Sequence, residues 1–215
     1  LVTPALRDTI PQLCTRTTSQ FLDEHDVQIA INGDEYVYLD PVDYPPQNYC
    51  ATSDPVRPVG FAASRGKVYS QKQAGRPVLN IKQRNEITFD TPKGQIYNAI
   101  SAQLYLVSRG TKVAGLDAQI LQPRTALGVN QNGRWLYLMA VDGRETSEGA
   151  TFSQLADMML SLGAYTAISF DGGGSSTMVI EGIDRLPRLL NTPVNENTPK
   201  RQRAVANHLG ISLKK

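Results

Sequence analysis

The stretch Ala167-Ile168-Ser169-Phe170-Asp171-Gly172-Gly173-Gly174-Ser175-Ser176-Thr177-Met178-Val179-Ile180 decides how the chain is read. A short apolar run leads to an aspartate, three glycines and three hydroxyl residues, and a second apolar run follows. Each apolar run has the length and composition of a buried strand. Three consecutive glycines are costly to order, but they let another group come close to the main chain. Their amides, with the hydroxyls of Ser175, Ser176 and Thr177, form the kind of concavity that holds an anion or a sugar oxygen. Asp171 stands at the mouth of the first strand. A plainer reading is a glycine-rich hairpin in which Asp171 only accepts turn amides.

Upstream of this stretch lies the one clear helical period. Thr151 and Gln154 have capping-box spacing. Phe152, Leu155, Met158, Met159 and Leu162 recur on one face, and Gly163 stops the helix. Before it, Asn132-Gly133 between apolar runs signals a hairpin. Its second arm, residues 135–141, is apolar on both faces and is expected as a central strand ending at Asp142-Gly143. The first half carries short runs bounded by turn residues, among them residues 27–31, 67–70, 78–81, 86–89, 96–100 and 104–107. Residues 1–24, with Pro4 and Pro11, read as an extended lead-in to a domain over 25–215. Residues 41–58 hold five prolines and read as irregular, because proline suits neither helices nor central strands. With Tyr38, Tyr44 and Tyr49 that segment reads equally as the wall of a carbohydrate site or as a rigid surface loop held by Cys50. A second loop is expected after Ile180, through Pro187 and Pro193, and a closing strand over 209–213. The expected fold class is α+β, one domain on a twisted mixed or antiparallel sheet with few packed helices.

Composition narrows the function classes. The 215 residues suffice for one well-buried domain. A net charge of +2, with lysine and arginine spread along the chain, gives no ground for nucleic-acid binding. No apolar run reaches membrane-spanning length. The chain opens Leu-Val-Thr without a methionine, so an upstream segment is expected to have been removed. Cys14 and Cys50 read equally as one disulfide or as two buried thiols. Two histidines are too few for a histidine-based zinc site.

Serine catalysis fits poorly, since no Gly-x-Ser-x-Gly surrounds Ser175 or Ser176, and no Gly-Lys-Ser/Thr marks a phosphate loop. Carboxylate chemistry fits better. Asp34, Glu35, Asp142 and Asp171 each lie at or just past the end of an apolar strand, where a side chain is placed rigidly yet accessibly. Arg124 and Arg203 each precede a strand. Such carboxylates and arginines suit a glycoside hydrolase acting on a charged substrate.

The glycine motif resembles the signature of the phosphodiester glycosidase family. Other segments resemble the same family in order: Ile31-Asn32-Gly33, Pro123-Arg124-Thr125-Ala126-Leu127-Gly128, Val141-Asp142-Gly143-Arg144, Gly149 with Thr151, and Arg203-Ala204-Val205-Ala206-Asn207. The chain departs from the family at Asp34-Glu35-Tyr36, where a glycine and aromatic residues are usual. The resemblance implies hydrolysis of a sugar-1-phosphodiester between the anomeric carbon and the phosphate oxygen, with no required cofactor. It implies catalytic roles among Asp171, Asp34, Glu35 and Asp142. Substrate and phosphate contacts would come from Arg124, Arg203, Asn32, Asn207, Gly172, Gly173, Gly174, Ser175, Ser176 and Thr177. Exported bacterial relatives imply a secreted or periplasmic protein and favour a Cys14–Cys50 bridge. Two rivals stand beside this reading. One is a non-catalytic carbohydrate-binding domain of the cell envelope. The other is a metal-assisted phosphodiesterase cutting the P–O bond, which would need calcium or magnesium on Asp34, Glu35 and Asp171.

Overall fold

A computed structural model describes residues 13–40, 50, 53–71, 75–90 and 94–213. Pro4 and Pro11, and the tyrosines Tyr44 and Tyr49, lie outside the described residues. Within them the protein is mostly β-structure with two α-helices, Thr18–Glu24 and Phe152–Ser161. Every strand pairing among the described residues is antiparallel, the second of the two forms expected, but the strands divide among several sheets. Local hairpins such as Arg124–Val129 with Leu136–Val141 alternate with pairings of strands distant in the chain, such as Ile29–Asn32 with His208–Ile211.

The strands form several sheets around a shared core rather than one. A five-stranded sheet runs in the order Thr111–Lys112, Leu104–Ser108, Thr166–Ser169, Arg124–Val129, Leu136–Val141. A four-stranded sheet runs Pro187–Leu189, Met178–Glu181, Ile29–Asn32, His208–Ile211. A second five-stranded sheet is built from residues 62–101. Ile31 and Leu209 of the four-stranded sheet meet Leu127 and Ile168 of the first sheet and Leu79 and Ile100 of the last in one buried cluster with Phe170. The loops at Asp34 and Asp171 leave this three-sheet junction, so the packed core fixes where they begin.

The Phe152–Ser161 helix forms as its cap predicts. The Gln154 amide donates to Thr151 Oγ1 at 3.1 Å, and Gln154 Oε1 accepts from the Thr151 amide at 2.9 Å. Leu155, Ala156 and Met159 are buried against Leu106, Ala126 and Ala167. Met158 and Leu162 are 39% and 46% exposed, so the apolar face is narrower than its periodicity suggests. Gly163 ends the helix at φ 92°.

Other expectations are corrected. Residues 13–24 are not an extended lead-in: Leu13–Cys14 is a strand, and Thr18–Glu24 is a helix with its own capping box, Thr17 and Gln20. Phe21 and Leu22 bury that helix against Val27 and Val179. Leu136–Val141 is an edge strand, not a central one. It is apolar on both faces because Leu136 and Leu138 touch one core cluster while Tyr137, Met139 and Val141 touch another. Pro55–Pro58 is the middle strand of a three-stranded sheet, between Leu13–Cys14 and Tyr36–Tyr38. Its prolines stand at the two ends, which leaves the Val56 and Arg57 amides for the ladder. Pro187–Leu189 is likewise a strand, returning from Met178–Glu181 through a turn in which the Arg185 amide donates to the Gly182 carbonyl at 2.9 Å. Cys14 and Cys50 form a disulfide that ties the Leu13–Cys14 strand to a residue between the Tyr36–Tyr38 and Pro55–Pro58 strands. Among the described residues no helix is long and apolar enough to cross a membrane.

Candidate functional site

Asn32 and Asp171 stand at the ends of neighbouring sheets and are fastened to each other. Asn32 Nδ2 donates to the Asp171 carbonyl at 2.8 Å. Asn32 Oδ1 accepts from Thr125 Oγ1 at 2.7 Å and from the Thr177 amide at 3.1 Å. The Asp171 amide donates to the Gly33 carbonyl at 3.0 Å. Asn32 is fully buried, so it positions the Asp171 loop instead of touching a ligand. Asn207 acts in the same way, its Oδ1 accepting from the Asp34 amide at 3.0 Å. Gly33 must be small, because a Cβ there would stand 2.2 Å from Asn207 Oδ1 and 2.5 Å from Ile100 Cδ1.

The four carboxylates have different surroundings. Asp34 is 1% exposed; its Oδ1 pairs with Arg76 Nη1 at 2.8 Å, and Oδ2 accepts from the Ser101 hydroxyl. Burial pushes its carboxyl above the usual range, against the Ser101 hydrogen bond and the Arg76 charge. Glu35 reaches the surface. It is held by Arg76 Nη2 on one oxygen and by Gln103 Nε2, at 2.8 Å, on the other. Burial works against the Arg76 charge, but the paired carboxylates outweigh it and raise its pKa. Asp142 is a loop clasp, accepting from Asn191 Nδ2 at 2.9 Å and from the Thr192 amide at 2.8 Å. Asp171 accepts from the Gly172 amide at 2.9 Å, as the plainer turn reading expects. It also faces a cleft. Its carboxyl is raised by burial first and by the Glu35 charge, and is opposed by hydrogen bonds from Ser175 and the Gly172 amide and by Arg203.

Each glycine of the loop lies against a guanidinium. A Cβ on Gly172 would come within 3.8 Å of Arg124 Nη1, one on Gly173 within 2.8 Å of Arg144 Nη2, and one on Gly174 within 2.7 Å of Arg203 Nη2. The three arginines are engaged differently. Arg124 is 7% exposed, donates to the Ile120 and Ala150 carbonyls at 3.0 Å each, and stacks 3.8 Å over the Phe152 ring. Burial lowers its pKa, opposed by Asp117. Its place is inside the loop's support, not on the cleft wall. Arg203 donates through Nε to Asn195 Oδ1 at 3.0 Å and lies 3.5 Å from Ser175 Oγ, so Ser175 stands between Arg203 and Asp171. Ser176 and Thr177 are fully buried and their side chains turn away from solvent.

The cleft has a volume of about 540 Å³, and Asp171, Glu35 and Arg203 share its lining with Tyr36, Tyr38, Val59, Asn195 and Glu196. The tyrosine rings meet edge to face at 5.5 Å, and Tyr36 donates its hydroxyl to the Ala204 carbonyl at 3.0 Å. Burial raises the Tyr36 pKa, which keeps the phenol neutral. Tyr38 is 61% exposed and offers an open ring face. Asn195 and Glu196 belong to a tight hairpin, Val194–Asn195 with Thr198–Pro199, whose turn residues Glu196 and Asn197 have φ 50° and 55°. This pattern matches a two-residue turn with both central residues left-handed. Sequence reasoning missed that hairpin, Arg76 and Arg144; the Asn-Glu-Asn run was the only local signal for the turn, since asparagine tolerates left-handed backbone.

Among the described residues no group of three or more His, Cys, Asp or Glu side chains is placed to hold a metal ion. The oxygen set considered for calcium or magnesium is divided: Asp34 and Glu35 are bound to Arg76, and Asp171 faces Ser175 and Gly172.

A family model described as phosphodiester glycosidase matches residues 25–212. The N-acetylglucosamine-1-phosphodiester alpha-N-acetylglucosaminidase of Bos taurus is 31% identical over 96 residues, covering 39% of this chain and 18% of that protein. The chain thus spans under one fifth of that relative's length. The structure is similar to the zebrafish catalytic domain of the same name, auto-inhibited by its pro-peptide. The TM-score is 0.71 at 21% identity, over 93% of this chain and 68% of that one. A hypothetical protein from Synechocystis has a TM-score of 0.67 at 14% identity, over 93% of this chain and 55% of that one. At these identities the structural likeness shows a common fold.

Proposed function

Because the chain belongs to the phosphodiester glycosidase family, we propose that its cleft hydrolyses a glycosyl-1-phosphodiester at the anomeric C–O bond, releasing a free sugar and a phosphomonoester. The observation that carries this reading is the side-by-side placement of Asp171 and Arg203 on one cleft wall, joined through Ser175. The two halves of the bond need opposite charges nearby. Positive charge grows on the anomeric carbon as the bond breaks, and negative charge grows on the departing phosphate. Asp171 serves the first and Arg203 the second. Glu35, close enough to act on the Asp171 carboxyl electrostatically, is the second carboxylate. Asp34, Asp142, Asn32 and Asn207 hold the loops that present these groups.

A phosphate is already a stable leaving group, so strong proton donation matters less here than for an alkyl glycoside. A guanidinium stabilises it through planar paired hydrogen bonds. The open face of Tyr38 suits the apolar side of a sugar ring. The Cys14–Cys50 bridge supports a secreted or periplasmic location, since disulfides persist in oxidising compartments.

Hydrolysis in oxygen-labelled water tests the reaction. Cleavage at the anomeric carbon puts the label in the sugar. Label in the phosphate means P–O cleavage and removes this reading, and absence of turnover with intact bound ligand favours a binding domain.

A further inference from the structure

Two guanidiniums hold the Val194–Asn195 strand over the glycine loop. Arg144 Nη1 donates to the Val194 carbonyl at 3.0 Å, and Arg203 Nε donates to Asn195 Oδ1 at 3.0 Å. Their Nη2 atoms close onto adjacent glycines, Gly173 and Gly174. Among the described residues neither arginine has a carboxylate partner, whereas Arg76, Arg188 and Arg201 each do. Arg144 is exposed, and its backbone stands at φ 61°, a left-handed conformation uncommon for a long side chain. Asp171 acts on Arg203 through space, but neither guanidinium has a direct carboxylate pair among the described residues, so an anion seated between them would give both one.

We propose that Arg144 is the second guanidinium of the anion site, paired with Arg203 across the Val194–Asn195 strand and contacting the phosphoryl group on the leaving-group side. This rests on the reading of the cleft as a glycosyl-1-phosphodiester site for its substrate class. The anion site itself follows from the two arginines that close onto adjacent glycines without a direct carboxylate pair. It places the contact on an exposed residue, while the buried Arg124 serves the loop's support.

Calorimetric titration with methyl phosphate at low ionic strength tests this without turnover. Arg144→Gln is expected to weaken binding about tenfold or more, the loss of one charge-assisted contact. Arg144→Lys is expected to keep part of the affinity through its charge but not the planar fork. Arg201→Gln, which removes a neighbouring charge already paired with Glu196, should bind within about twofold of the unaltered protein. The inference is overturned if Arg144→Gln binds as tightly as the unaltered protein, if Arg201→Gln loses as much affinity, or if the unaltered protein binds no methyl phosphate. A protein that binds methyl phosphate through Arg144 but hydrolyses no glycosyl-1-phosphodiester keeps this inference and overturns the proposed reaction.

Discussion

Replacing Gly174 with alanine adds one methyl group at the point where the glycine loop meets Arg203. The new Cβ would stand 2.7 Å from Arg203 Nη2, 2.9 Å from its Cζ and 3.0 Å from Asn195 Oδ1. Ordinary carbon contacts begin at about 3.5 Å, so the guanidinium must move by several tenths of an ångström or more. The Gly174 backbone is not left-handed, so the substitution brings no dihedral strain and acts through this contact. Arg203 is fastened by Asn195 and Ser175, and moving it strains at least one of those hydrogen bonds. A misplaced charged contact of this kind is worth about 1.5–3 kcal/mol. If Arg203 stabilises the departing phosphate, kcat/KM for a glycosyl-1-phosphodiester falls about 10- to 150-fold. Stability should fall by less, since the displaced tip is partly solvated. The assay pairs steady-state kinetics with a melting curve. A folded Gly174→Ala protein with unchanged kcat/KM refutes the placement of Arg203 in the reaction.

Arg76→Met removes the cation between Asp34 and Glu35 and leaves the buried Asp34 with the Ser101 hydroxyl and the Glu35 amide but no counter-charge; unfolding in urea should show a loss of about 3–5 kcal/mol, and a loss under about 1 kcal/mol would show that Asp34 does not depend on its partner. The fully buried His208 ring, stacked on Phe21 at 4.6 Å, has its pKa lowered by burial to about 3, so the unfolded chain binds the proton first as pH falls below 6.5. Its contribution to stability is therefore full above pH 6.5 and lost towards pH 3, at about 1.4 kcal/mol per unit. The raised Asp34 and Asp171 carboxyls act with the opposite sign, losing stability as pH rises through their folded values, so the comparison must isolate the ring. Urea midpoints of the unaltered protein and His208→Phe should diverge between pH 7 and pH 5 for that reason, and parallel curves would contradict it.

What the sequence made legible was mostly local. The capping box at Thr151, the stop at Gly163 and the strands on either side of Asp171 follow from residues within a turn of one another. The Asn132-Gly133 hairpin was also readable, although its loop runs over 130–135, because the ladder closes at Val129 and Leu136. The apolar faces misled where two cores share one strand: residues 136–141 look central yet lie on an edge. In the site, Asp171, Glu35 and Arg203 stand out in the sequence and line one cleft. The sequence points to Asn32 and Asn207 as ligand contacts, whereas burial gives them a supporting place, because their hydrogen bonds join distant loops. Arg76 could not be found from sequence, since its pairing with Asp34 spans 42 residues and leaves no periodic mark. Arg144 was visible in its motif, but only the approach to Gly173 gives it a role.

The central claim is that Asp171 carries the chemical step, and turnover of a glycosyl-1-phosphodiester by Asp171→Asn tests it most directly. Asparagine keeps the acceptor for the Gly172 amide and nearly the same shape, so the loop and the melting temperature should hold. The variant should fold, and its kcat should fall by at least about 100-fold, the lower end of what a positioned acid or base contributes. Near-normal turnover in that folded protein would contradict it and leave Asp171 as a turn residue alone.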